Sequence, residues 1–157
     1  MRTRAAAALI GLAYTALMLL LTIGPVRQRF VGSEAERGVL DWRSWFEVST
    51  WHAGTTGEFV ANVMLFLPWG ALAVLALGGR RWMLAAAGAS ALTLAIEIAQ
   101  IPTARISDPR DLVANVLGAV LGIALGAAVD AMRSASRDRR ATSPDAAGAR
   151  APERASG

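Results

Sequence analysis

Four apolar runs decide what this chain can become. They lie at about residues 5–24, 59–77, 82–101 and 112–129, and about twenty apolar residues in succession cross a bilayer as a helix. A lone segment in lipid satisfies its backbone N–H and C=O groups only by closing them within a helix. The expected fold is therefore all-α, an integral membrane bundle of four transmembrane helices. At 157 residues the chain has the length of one domain, and 54% of it is hydrophobic, more than a soluble core calls for.

The segments between the runs set the details. Arg2 and Arg4 precede the first run, a pattern shared with signal peptides. The run is long for such a peptide, and Thr22-Ile23-Gly24-Pro25-Val26-Arg27 offers a poor small-residue cleavage site. A retained first span is expected. Residues 26–57 hold four arginines, four acids and three tryptophans. Within them Val39, Trp42, Trp45, Phe46 and Ser49 recur at three- and four-residue spacing, which predicts a short interfacial helix in the first outer loop. Pro68 falls inside the second run and should kink it. Gly78-Gly79-Arg80-Arg81 makes a tight basic turn before the third.

Arginine placement predicts orientation. Arg2, Arg4, Arg80, Arg81 and six arginines after residue 132 lie on one side. Those on the other side are mostly offset by neighbouring acids. Both termini should be cytoplasmic. Residues 1–132 then form the transmembrane domain, and 133–157, rich in Arg, Ala, Ser, Pro and Asp, read as a disordered basic cytoplasmic tail. The net charge of +4, carried by 16 arginines and no lysine, reads as topology signal and attraction to anionic lipid, not as a nucleic-acid footprint. With no cysteine, thiolate metal sites and disulfides are excluded. His52 is the sole histidine, so no metal site and no cofactor are expected.

Polar residues gather at one depth. Asn62, Glu97 and Asn115 each lie about one turn from the outer end of a different span, roughly 5–8 Å below the surface. A carboxylate in the hydrocarbon costs about 2.5–3.5 kcal/mol at the centre and less near the interface, so Glu97 should face the interior with a partner. Gln100 shares its face. Either Arg105 folds back as a bidentate partner, or the acid is buried neutral. The pair serves a site or merely ties two helices together. Asp111 lies four residues before Asn115 and faces the same way. Asp108 before Pro109 suits an N-cap with proline at the first helical position. Gly118, Gly122 and Gly126 continue the stripe at the spacing that lets helices approach closely in lipid.

In order, N62-VML-F66-L-P68-W-G70, E97-IA-Q100 and R105-ISDPR-D111-LVA-N115-VL-G118-AVL-G122 resemble the VanZ-like family of small membrane proteins, named for an accessory determinant of teicoplanin resistance. The likeness covers residues 58–126, with the first span matching by position only. Thr103-Ala104 departs from it, since relatives often carry glycine beside the arginine. The resemblance implies a multi-span bundle in the bacterial cytoplasmic membrane, associated with the cell envelope and, for some members, with glycopeptide resistance.

Three functions are open from the residues. In the first, Asn62, Glu97, Gln100, Arg105, Asp111 and Asn115 line an outward-facing pocket for a phospholipid headgroup or a lipid-linked envelope precursor, Arg105 supplying a forked donor. In the second, Glu97 or Asp111 is the general base of a membrane-embedded enzyme acting on a lipid-linked substrate. In the third, the chain is a structural partner, associating through its glycine face with another membrane protein or a second copy.

Overall fold

The computed structural model describes residues 2–23, 41–52, 54–100 and 109–142. Five α-helices follow in order: α1 (Arg2–Ile23), α2 (Val48–His52), α3 (Thr56–Leu77), α4 (Trp82–Gln100) and α5 (Pro109–Ala141). Short 3-10 turns occupy Trp42–Trp45 and Gly79–Arg81. The secondary structure of the described residues is entirely helical. α1, α3, α4 and α5 are each long and apolar enough to cross a membrane. Their outward faces carry Leu9, Leu12, Leu20, Met83 and Leu125, all more than half exposed, a surface suited to lipid.

α3 begins with a reciprocal cap. Glu58 N–H donates to Thr55 Oγ1 at 3.1 Å, and Thr55 N–H donates to Glu58 Oε2 at 2.8 Å, so two of the orphan donors of the first turn are satisfied. The helix runs through Pro68 without ending. It stops at Gly78, whose φ of 93° favours glycine and whose N–H returns to Val74 O at 2.7 Å. The turn into α4 is pinned by α5, where the Asp130 carboxylate accepts Gly79 N–H at 2.9 Å. Arg4 of α1 lies over the same turn: a Cβ built on Gly78 would stand 2.7 Å from its Nη2.

The centre of the bundle is the seam between α3 and α5. A Cβ at Gly118 would overlap the carbonyl of Val63, one at Gly122 that of Leu67, and one at Gly70 that of Ala119. At Gly126 it would stand 2.7 Å from Ala71 O. Glycines four apart therefore bring the two backbones into direct contact, the arrangement that dispersion favours in lipid. This face is filled by α3 of the same chain, so a partner protein or a second copy would meet the bundle on another face.

α1 joins the seam from the side. Met18 packs with Phe66, Ala89, Ile96 and Ala119 in the main apolar cluster. Tyr14 OH donates to Leu65 O at 2.8 Å and Trp69 Nε1 donates to Thr15 Oγ1 at 3.0 Å. Both bonds flank Pro68, which lacks the N–H that would serve the Met64 carbonyl.

Two boundaries differ from those expected. The interfacial helix is split into the 3-10 turn Trp42–Trp45 and α2, joined by a Trp51 Nε1 bond to Trp45 O at 3.2 Å; Val39 lies outside the described residues. The last helix does not stop near residue 129 but runs to Ala141, so the first residues of the foreseen disordered tail are helical. Composition measures whether a segment can bury a core. It does not prevent alanine and arginine, both strong helix formers, from extending a helix already nucleated in the membrane. At 1.5 Å per residue α5 is about 50 Å long, against about 30 Å of hydrocarbon.

Candidate functional site

At the end of the bundle away from the α3–α4 turn, the stripe on α5 changes character. Gly118, Gly122 and Gly126 have no side chain and lie against α3. Asn115 and Asp111, one and two turns nearer the start of α5, carry polar groups instead. Here α1, α3, α4 and α5 enclose a cavity of about 250 Å³. Its polar lining comes from Thr22 of α1, Asn62 of α3, Glu97 of α4, and Asp111 and Asn115 of α5. Leu21, Leu65, Phe66 and Ile96 form the apolar wall. Two lining residues, Leu21 on α1 and Ala61 on α3, are exposed, so the cavity borders the outward surface of those helices.

Four of the six residues expected at a pocket thus surround one space. Asn62 and Asp111 are half-buried. Glu97 is 2% exposed and Asn115 4%. Gln100 is the last residue of α4, its side chain outside the described residues, as is the whole connector with Arg105 and Asp108. Pro109 does open α5 and is buried.

Thr93 and Thr22 were not anticipated. Thr93 is 1% exposed and accepts Asn115 Nδ2–H at 2.9 Å. That bond uses one of the two amide N–H donors, while Asn115 Oδ1 is buried without a hydrogen-bond partner. The signal for Thr93 was its position four residues before Glu97, on the same helical face. Thr22 gives no comparable signal. Its hydroxyl donates to Met18 O at 2.7 Å within its own helix, a common arrangement for threonine in membrane helices.

The approach to this end is crowded by charge. A Cβ on Gly54 would stand 2.7 Å from Arg110 Nη1 and 3.2 Å from Glu58 Oε2, so the loop after α2, the first turn of α3 and the first turn of α5 meet. Farther out, Trp42 and Phe46 meet edge to face at 6.3 Å, with Arg43 5.7 Å above the Trp42 ring. His52 Nδ1 lies 2.9 Å from Val48 O. Among the described residues no three acidic, histidine or cysteine side chains are grouped to hold a metal ion.

Four membrane-length helices clamped along a glycine seam, with buried polar side chains confined to one end, define a polytopic helical membrane protein. The model of the VanZ/LLP1 family matches residues 11–130, and the chain belongs to that family. The match reaches back to Gly11, so it takes in most of α1 as well as the polar segments of the later helices. No curated protein and no solved structure matches the chain.

Proposed function

We propose that this VanZ-like membrane protein sits in the bacterial cytoplasmic membrane with both termini cytoplasmic. It holds the headgroup of a phospholipid or of a lipid-linked envelope precursor in an outward-facing cavity. The observation that carries this reading is a partly polar cavity bordered by exposed residues of two helices of membrane-spanning length, α1 and α3. A molecule that already lies in the membrane reaches such a site without crossing water. Volume limits what enters. At about 250 Å³ the space is of headgroup scale, room for one sugar ring or one phosphorylated small alcohol. A whole glycopeptide antibiotic is far larger, so any tie to glycopeptide resistance would run through the envelope lipid.

Arg105, on the connector leading to α5, is the proposed forked partner of the headgroup phosphate. The decisive measurement is mass spectrometry of lipid retained by the purified wild type, Glu97→Ala and Arg105→Ala. A lipid class enriched in the wild type and lost from both variants, with membrane insertion intact, is the expected result. Identical lipid profiles in all three would remove the proposal. Orientation has its own test, since the chain has no cysteine. Ser49→Cys should react with an impermeant thiol reagent in intact cells, and Ser143→Cys only after the membrane is opened.

A second reading draws on one specific observation, that Glu97 and Asp111 border the same cavity. One carboxylate would then act as general base on a lipid-linked substrate. Turnover abolished by Glu97→Gln would favour this enzyme. Lipid retention without turnover would favour the binding protein.

A further inference from the structure

Toward the α3–α4 turn, α1, α3 and α4 border a second space, an apolar groove of about 350 Å³. We propose that this groove binds an anionic phospholipid, with one acyl chain along it and the phosphate at Arg4 and Arg81. It shares no lining residue with the polar cavity, so the assignment does not depend on what that cavity holds. The wall itself excludes a polar occupant. Thr15 and Trp69 carry its polar side-chain atoms, and these are already committed: Thr15 Oγ1 donates to Gly11 O at 2.8 Å and accepts Trp69 Nε1–H at 3.0 Å. The rest of the lining is alanine, glycine and leucine.

Length and charge together identify the occupant. On α3 the wall runs from Trp69 to Leu77 and on α1 from Thr15 to Ala7, each about 12 Å at 1.5 Å per residue. One leaflet of a bilayer has about 15 Å of hydrocarbon. Trp82, 51% exposed just past the turn, stands where tryptophans mark the headgroup level. Arg4 lies three and four residues before Ala7 and Ala8, so it heads the wall stripe on α1. Arg81 has the same spacing to Leu84 and Ala85 of α4. Both arginines are exposed, and the Arg4 guanidinium lies over Gly78, next to the wall residue Leu77. The first turn of α1, the turn Gly79–Arg81 and the first turn of α4 hold no acid. Asp130 of α5 already accepts Gly79 N–H at 2.9 Å. A guanidinium fork matches phosphate oxygens, and a headgroup with net negative charge brings no cation of its own to oppose it.

The test varies headgroup charge and groove volume separately. The full chain in detergent is offered phosphatidylglycerol and phosphatidylcholine with the same acyl chains, and retention is read by native mass spectrometry. Phosphatidylglycerol should be preferred. Arg4→Gln and Arg81→Gln should each lower that preference by about fivefold, the worth of one basic residue near a membrane surface, and the double variant should erase it. Equal retention of the two lipids by the wild type overturns the inference while leaving the cavity reading standing. A preference that survives the double variant overturns the place given to the phosphate.

Gly11→Leu tests the seat of the acyl chain. A Cβ at Gly11 meets Leu72 Cβ at an ordinary 3.7 Å, so the larger side chain extends into the groove without parting the helices. Retention of phosphatidylglycerol should fall severalfold in protein that elutes as wild type. Leu9→Phe, on α1 but outside the groove, should leave it unchanged. Undiminished retention in Gly11→Leu overturns the groove as the site, and if that variant does not fold, the arginine variants decide alone. Glu97→Ala separates the two sites: the preference for phosphatidylglycerol should persist in it. Loss of that preference would place the lipid in the polar cavity and overturn the groove.

Discussion

The two ends of the bundle treat the same pair of helices in opposite ways. Toward the α3–α4 turn, α5 presents Gly118, Gly122 and Gly126, and backbone meets backbone. Toward the start of α5, the same stripe presents Asn115 and Asp111, and the helices enclose a cavity. One end has no side chains to spare and the other keeps polar ones in space they do not fill. In lipid, association rests on packing and not on hydrophobic exclusion, so the seam supplies the stability on which the cavity end depends. A hydrated or ligand-filled cavity is tolerable only because the opposite end is closely packed.

The largest effects should therefore come from the seam. Gly122→Ala places a methyl group on the Leu67 carbonyl, and neither backbone can yield without separating α3 from α5. Overpacking of this kind costs about 3 kcal/mol, and Gly122→Leu should prevent isolation of a monodisperse protein. Gly57→Ala is the matched control, since its nearest neighbour would be Thr55 Oγ1 at an ordinary 3.7 Å. Thermal unfolding followed by tryptophan fluorescence in detergent reads both. Equal midpoints for the two alanine variants would break the contrast between the ends.

At the cavity end the sign should reverse. Asn115→Leu fills space and removes a buried acceptor that has no partner, at the loss of one bond to Thr93. An unsatisfied buried group costs roughly 1–3 kcal/mol, whereas hydrogen bonds between membrane helices average about 0.6 kcal/mol. The variant should unfold at or above the wild-type temperature while losing lipid retention. A clear fall in unfolding temperature would mean that Asn115 serves the fold, and the distinction between a packed end and a functional end would fail.

Asp130→Ala should give an intermediate effect at the turn end. It strips Gly79 N–H of its acceptor and loosens the junction of α3 and α4, for about 1 kcal/mol. Lipid retention at the far cavity should not change. Loss of retention in this variant would show that the two ends are coupled.

Much of this division was legible in the sequence. The four runs were long enough to leave no other fold, and Glu97 stood out because a carboxylate in lipid demands an interior position. The glycine spacing pointed to a close approach, although not to which helix would fill it. Thr93 was hidden because a threonine in an apolar run is unremarkable until its hydroxyl meets Asn115 of another helix. The ties from α1 were hidden for the same reason: Tyr14 and Trp69 read as apolar bulk, and only the packed structure pairs their polar ends with Leu65 and Thr15. The helical stretch beyond residue 132 was missed because composition speaks of cores, not of helix propagation.

The smallest effect tests α1, which belongs to both regions. Its middle is tied to α3 by Tyr14, and its last turns supply Leu21 and Thr22 to the cavity. Tyr14→Phe removes one hydroxyl whose bond to Leu65 O measures 2.8 Å, for about 0.6 kcal/mol. The α3–α5 seam has no part in that bond, so the unfolding temperature should barely move. Lipid retention should fall more than stability does, because the cavity wall that α1 supplies has lost an anchor. The ratio of the two effects is the informative quantity. If retention and stability fall in proportion, α1 is an integral part of the packed end; if retention alone falls, α1 is the movable wall through which a lipid enters.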